Sequence, residues 1–192
     1  MAKLYFRYSA MNAGKSAALL IVAHNYEEQD REVMVFTAQI DDRYGAGKVT
    51  SRMGLSRDAA VFNVDTDFET LLGALLAKTP KLSCILVDEA QFLTEYQVTQ
   101  LHRFAHLRDV PVICYGLRSD FQGKPFPGAA ALLALADTLE ELATVCGCGK
   151  KARMNVRVDE RGNRVTEGNQ VEIGGNNRYR QMCARCFYRG DA

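Results

Sequence analysis

The sequence has almost no net charge. Its 24 Lys and Arg residues stand against 23 Asp and Glu, a formal +1 over 192 residues, so no basic excess offers a non-specific grip on a nucleic-acid backbone. A nucleic-acid partner is therefore not expected. Long apolar runs are missing too. No stretch approaches the length needed to cross a bilayer, and the apolar run in MAKLYFRYS is too short for a signal peptide and carries Arg7 inside it. These absences lead us to expect a soluble cytoplasmic protein with no membrane partner. Internal repeats and low-complexity tracts are lacking as well. Apolar residues make up 47% of the chain, enough to build a real core in one domain of ordinary size, or in one plus a small appendage.

The rest of the chain is organised around Leu4 to Val22, LYFRYSAMNAGKSAALLIV. An apolar β-type run, Leu4 to Tyr8, stops at Ser9 and Asn12, and Gly14-Lys15-Ser16 opens a helical segment from Ala17 to His24. Backbone N–H groups in the first turn of such a helix, together with its macrodipole, make an anion site. In a Gly-x-x-x-x-Gly-Lys-Ser loop the lysine reaches the β and γ phosphates and the serine hydroxyl ligates Mg²⁺, roles that would fall on Lys15 and Ser16. The same residues also read as an ordinary helix N-terminus with an exposed lysine. Their place at a strand-to-helix junction near the start of the chain favours the phosphate. Ser9 stands where the first glycine belongs, so the turn must form without the residue most tolerant of positive φ.

Further on, EVMVFTA (Glu32 to Ala38) has the β-branched and aromatic character of a second strand. From Asp41 to about Arg57 the chain is polar, glycine-containing and aperiodic, which predicts a long loop, and Val61 to Val64 predicts a short strand. Phe68 to Ala77 has helical spacing. KLSCILVD (Lys81 to Asp88) is the kind of unbroken apolar run that a strand buried on both faces of a parallel sheet requires, and it ends in Asp88-Glu89. Carboxylates at that edge face the ligand crevice of open α/β sheets. Asp88 is then placed as the Mg²⁺ carboxylate and Glu89 as a candidate general base, while the alternative is that the pair merely favours the N-terminus of the helix Thr94 to His106. A strand at Val110 to Tyr115, a loop at Phe121 to Gly128, a helix at Ala129 to Ala136 and a last strand at Leu139 to Val145 complete a βα alternation. That alternation predicts a mainly parallel α/β sheet.

Composition changes at Cys146, which divides the chain into 1–145 and 146–192. Two of the six cysteines, Cys84 and Cys114, sit inside apolar runs and read as buried thiols. The other four form Cys146-Gly-Cys148 and Cys183-Ala-Arg-Cys186, enough for a closed tetrahedral Zn²⁺ site, against reduced thiols or a disulfide. The first pair is Cys-x-Cys, one residue tighter than usual. His24, His102 and His106 lie outside this module and read as helix-surface or packing residues. Between the pairs, VEIGGNNRY (Val171 to Tyr179) is broken by Gly174 and Gly175; from composition alone it reads as a hairpin with an exposed tyrosine.

Taken together, SAMNAGKS (Ser9 to Ser16), IDDRYGAGKV (Ile40 to Val49), LVDEAQFL (Leu86 to Leu93), CYGLRSDFQGKPF (Cys114 to Phe126), the four cysteines and VEIGGNNRY resemble the type II thymidine kinases, most closely the enterobacterial members. The resemblance spans nearly the whole chain. It implies a RecA-like nucleotide-binding α/β domain joined to a small C-terminal zinc ribbon whose lasso loop closes over a nucleoside. It implies transfer of the γ-phosphoryl group of ATP, with Mg²⁺, to the 5′-hydroxyl of thymidine or deoxyuridine. Carried over residue by residue, the base is Glu89. The nucleotide lies against Ser9, Ala10, Met11, Asn12, Ala13, Gly14, Lys15, Ser16, Asp88 and Gln91, with Arg43 and the Asp41 loop near the phosphates. The nucleoside lies against Met11, Leu117, Phe121 and Tyr179 and against Gln170, Val171, Glu172, Ile173 and Gly174, whose main chain holds the base edge. Structural zinc falls on Cys146, Cys148, Cys183 and Cys186. A homotetramer inhibited by dTTP is also implied. A RecA-like ATPase whose zinc ribbon contacts nucleic acid or protein is the competing reading.

Overall fold

The computed structural model describes residues 1–41, 45, 47–79, 81–171 and 178–191. Six strands form one sheet: β1 (Leu4–Ser9), β2 (Glu32–Ala38), β5 (Ala60–Phe62), β6 (Leu82–Val87), β7 (Val112–Leu117) and β8 (Thr138–Glu141). Their spatial order is β5-β2-β6-β7-β1-β8, and every pairing is parallel. The α/β architecture and parallel sheet expected from the βα alternation are therefore present. Helices α1 (Lys15–Glu27), α2 (Phe68–Lys78), α3 (Glu95–Arg108) and α4 (Pro127–Leu135) make the crossovers.

Alternation along the central strands sorts side chains onto two faces. Ile85, Val87, Val112, Cys114, Leu4 and Phe6 join the core beneath α2, α3 and α4. Cys84, Leu86, Ile113 and Tyr115 join the core beneath α1. Both faces are covered, which is why these strands read as unbroken apolar runs. Each fully buried Leu, Ile or Phe contributes about 1.5–3 kcal/mol. Cys84 and Cys114 are fully buried, and burial pushes the Cys84 thiol up to about 12 and the Cys114 thiol higher still. They are inert packing residues. Helix ends are set locally: Asp67 accepts from the Thr70 amide, and Thr94 with Gln97 forms a reciprocal capping box.

Three sequence expectations are corrected. The segment Asp41 to Arg57 is not all loop, because β3 (Lys48–Thr50) and β4 (Ser56–Asp58) pair as an antiparallel hairpin and Val49 is buried under α1. Helix α4 begins two residues early, with Pro127 in its first turn, where a missing N–H costs nothing. The strand expected over Leu139 to Val145 is two. After β8 the chain leaves the sheet, and β9 (Thr144–Val145) pairs with β10 (Lys151–Ala152). A second small sheet follows, β12-β11-β13, from β11 (Met154–Val158), β12 (Arg164–Val165) and β13 (Tyr179–Met182), with α5 (Ala184–Arg189) after it. Among the described residues no helix is long and apolar enough to cross a membrane.

Candidate active site

Parallel strands present all their C-terminal ends at one edge, so the turns after β1 and β6 emerge on the same side, separated by β7. The turn after β1 runs into α1 through Asn12 (φ 62°) and Gly14 (φ 75°), both left-handed. Ser9 is not strained. It is the last residue of β1, in register with Leu117, and the positive φ expected of the missing glycine falls further along the loop. The Ser9 hydroxyl donates to Ala10 O (2.7 Å) and accepts from Lys15 Nζ (3.1 Å), which also donates to Ala10 O (3.2 Å). A serine here thus gives the lysine a polar rest that glycine could not. No acidic residue occupies the first turn of α1, so the positive end of its dipole faces the loop.

Ser16 Oγ donates to Asp88 Oδ2 at 2.8 Å. The other oxygen, Asp88 Oδ1, is buried and has no hydrogen-bond partner among the described residues. Burial foremost, with the neighbouring Glu89 charge second, raises the Asp88 carboxyl to about 7. A serine hydroxyl beside a buried carboxylate oxygen lacking a donor is a donor set suited to Mg²⁺, a hard cation taking oxygen ligands.

Glu89 adopts φ 51°, ψ 37°, a left-handed conformation costing a β-carbon residue about 1–2 kcal/mol. It opens a short 3₁₀ turn, Ala90–Phe92, and its carboxylate Oε2 accepts from Gln91 Nε2 at 2.5 Å. The Gln91 side-chain oxygen, Oε1, in turn accepts from the Leu117 amide at 3.0 Å. Gln91 is 2% exposed and sits against Gly116, where a β-carbon would meet the Gln91 side chain at 2.9 Å and its backbone N at 3.0 Å. Gly116 is what lets this glutamine reach Glu89.

A cavity of about 350 Å³ joins the two halves. The phosphate loop from Met11 to Ser16, together with Asp41 and the hairpin residues Arg52 and Met53, lines one part of it. Glu89, Gln91, Leu117, Phe121, Gln170, Val171 and Tyr179 line the rest. Of the expected site residues, Ser9, Ala10 and Asp88 lie buried behind this surface. Arg43, Glu172, Ile173 and Gly174 lie outside the described residues.

The far wall depends on residues that the sequence did not single out. Asn155, buried in β11, accepts the Met11 amide at 2.8 Å and donates to Ser119 O at 2.9 Å, tying the small sheet to both the phosphate loop and the end of β7. Arg157, 3% exposed, places its guanidinium 3.9 Å from the Phe121 ring centroid. It also donates to Tyr179 Oη at 3.0 Å and to Asn169 O at 2.9 Å. Asp120 organises the turn after β7, accepting from the Gln122 and Lys124 amides and from Gln170 Nε2, each at 2.9 Å. Gly116 and Asp120 fall within CYGLRSDFQGKPF but the resemblance assigns them no role there, and Asn155 and Arg157 lie in no recognisable motif. The one available signal was polar residues alternating with valines in MNVRV, which ordinarily marks a half-solvated strand.

Cys146, Cys148, Cys183 and Cys186 bring their sulfurs within 4.8 Å of one another. Cys148 and Cys183 hold their sulfurs 3.6 Å apart, well beyond the roughly 2.05 Å of an S–S bond, and none of the four is joined in a disulfide. Tetrahedral Zn²⁺ with Zn–S bonds of about 2.3 Å spaces its sulfurs by about 3.8 Å, so the cluster is nearly of the size required. The tight Cys-x-Cys pair is accommodated by a turn in which the Gly149 amide (φ 82°) donates to Cys146 O. The Cys148 amide leads in lowering the Cys146 thiol to about 6, and the Cys186 amide leads in lowering that of Cys183.

Comparison with known proteins supplies the family. A family model described as "Thymidine kinase" matches residues 2–187. A thymidine kinase of Chromobacterium violaceum is 55% identical over 98% of this chain and 99% of its own length. That of Albidiferax ferrireducens is 54% identical over 98% and 93%, and that of Vibrio cholerae 52% identical over 97% of each. The chain belongs to the thymidine kinase family. A Pif1 helicase from Candida albicans superposes with a TM-score of 0.41 at 15% identity, over 73% of this chain and 36% of that one, which is below the level at which a shared fold follows. As a thymidine kinase family member, the chain is expected to use a phosphate donor and a hydroxyl acceptor. The cavity is lined by elements suited to each.

Proposed function

We propose that this protein transfers the γ-phosphoryl group of ATP to the 5′-hydroxyl of thymidine, and of deoxyuridine, giving the monophosphate for pyrimidine salvage in the cytoplasm. What carries the reading is a single cavity lined both by a phosphate loop, with the Ser16–Asp88 pair behind it, and by an aromatic-walled chamber containing Glu89. Family membership supplies the nucleoside.

The α1 N-terminus and Lys15 bind the triphosphate, with Arg43 contributing from the Asp41 loop. Ser16 and Asp88 would hold Mg²⁺, which when bound offsets phosphate charge. Phosphoryl transfer depends chiefly on positioning and electrostatics. Glu89, steadied by Gln91, takes the proton of the acceptor hydroxyl; a base need only be ionised and within about 3 Å of it. Met11, Leu117 and Phe121 enclose the thymine, Tyr179 lies against sugar or base, and main-chain groups from Gln170 to Gly174 hold the base edge. Backbone groups left unpaired by cytosine would reject it strongly, on the order of 10⁴-fold in a site built for hydrogen bonding. The four cysteines would hold a structural zinc in a ribbon-like unit, 146–192, whose lasso loop closes over the nucleoside. Unit 1–145 is the RecA-like nucleotide-binding part, and the assembly is a homotetramer restrained by dTTP.

A nucleoside panel with γ-labelled ATP tests the reading. Label entering thymidine and deoxyuridine but not deoxycytidine is expected. Hydrolysis of ATP with no labelled nucleoside would overturn it in favour of an ATPase.

A further inference from the structure

A second cluster of ligating side chains lies at the opposite end of β1 from the phosphate loop. His102 and His106 stand one turn apart on α3, and Asp137 immediately precedes β8. Asp137 is fixed by the start of β1: its Oδ2 accepts the Leu4 amide at 2.8 Å, and its own amide donates to Leu4 O at 2.9 Å. His106 Nε2 lies 3.0 Å and 3.2 Å from the two Asp137 oxygens, and His102 Nε2 lies 4.0 Å from Oδ2. The donor atoms of all three residues fall within 4.8 Å of one another. Their side chains keep 25–30% of their surface exposed, so a solvated ion has access.

We propose that His102, His106 and Asp137 form a binding site for a divalent transition cation such as Ni²⁺ or Cu²⁺, separate from the cysteine cluster and from the active site. Two imidazoles and one carboxylate are borderline ligands that suit these ions and not Ca²⁺ or Mg²⁺. Bonds of about 2.0–2.1 Å at tetrahedral angles separate donor atoms by about 3.3 Å, and the observed 3.0 Å and 4.0 Å bracket that value. A small rotation of His102 closes the gap. The scaffold is rigid, because two ligands share one helix and the third is doubly hydrogen-bonded to a buried strand. Residual coordination positions face solvent and would be filled by water. An ion there would tie α3 to the β1–β8 edge and stabilise the folded chain by mass action.

The chain has only three histidines, which makes the test direct. Ni²⁺ is titrated into the untagged, zinc-loaded protein while the imidazole resonances are followed by NMR, with calorimetry for affinity. Broadening of His102 and His106 at one added equivalent, with His24 unaffected, is expected. His102→Gln and His106→Gln should each weaken Ni²⁺ binding at least tenfold while leaving zinc content and phosphoryl transfer unchanged. Equal broadening of all three histidines, no broadening at one equivalent, or Ni²⁺ affinity unchanged from the unsubstituted protein in both variants would overturn the site. The NMR result stands without either variant, so a misfolded substitution does not leave the question open.

Discussion

Arg157 lies with its guanidinium 3.9 Å from the centre of the Phe121 ring and bridges that ring to the Tyr179 hydroxyl and the main chain at Asn169. One buried cation from the small sheet thus fixes two aromatic walls of the cavity. Lysine cannot reproduce a planar, forked contact of this kind. Arg157→Lys is expected to raise KM for thymidine about tenfold or more, the equivalent of roughly 1.5–3 kcal/mol for charged hydrogen bonds lost, with KM for ATP changed much less. Steady-state kinetics with each substrate varied in turn checks this. Equal effects on both substrates would contradict it.

Glu89→Gln preserves shape and keeps a hydrogen-bonding group beside Gln91 while removing the proposed base. We expect kcat to fall by about 10²–10⁴-fold, with ATP affinity by equilibrium titration unchanged. Near wild-type turnover would remove Glu89 from that role.

Gly116→Ala places a β-carbon 2.9 Å from the Gln91 side chain and 3.0 Å from its backbone. The glutamine must move, and Glu89 with it. A loss of about 1–3 kcal/mol of stability by denaturant titration is expected from overpacking, together with a lower kcat. Gln91→Ala should reproduce the kinetic loss without the steric one, which separates the two causes.

Removal of metal tests the cysteine cluster. One zinc per chain by elemental analysis is expected, and Cys183→Ser or exhaustive chelation should lower Tm and raise KM for thymidine, because β11 and β13 carry Asn155, Arg157 and Tyr179. Zinc-free protein with unchanged Tm would dispose of a structural metal.

Much of the scaffold was legible in the sequence because both faces of the sheet are covered. Runs such as LSCILV and VICYGL had no solvent face to interrupt them, and Asp88 marked the edge where they stop. The hairpin β3–β4 escaped because three-residue strands are too short to show alternation. The break between β8 and β9 escaped because Leu142 and Ala143 give no local stop; the partner of β9 is chosen by the Cys146 turn ahead of it. Asn155 and Arg157 were hidden for a different reason. Their polar side of β11 faces another part of the protein instead of water, a fact of packing that no local pattern encodes.

Asn155 holds the phosphate loop through the backbone amide of Met11, not through its side chain. The brace is therefore indifferent to what residue 11 is, provided it is not proline. A position that shapes the chamber can change size while the joint between β11 and the loop after β1 stays intact. Substrate range is then open to adjustment at residue 11 without a structural penalty elsewhere, which makes it the natural first position to vary when seeking acceptance of bulkier nucleosides.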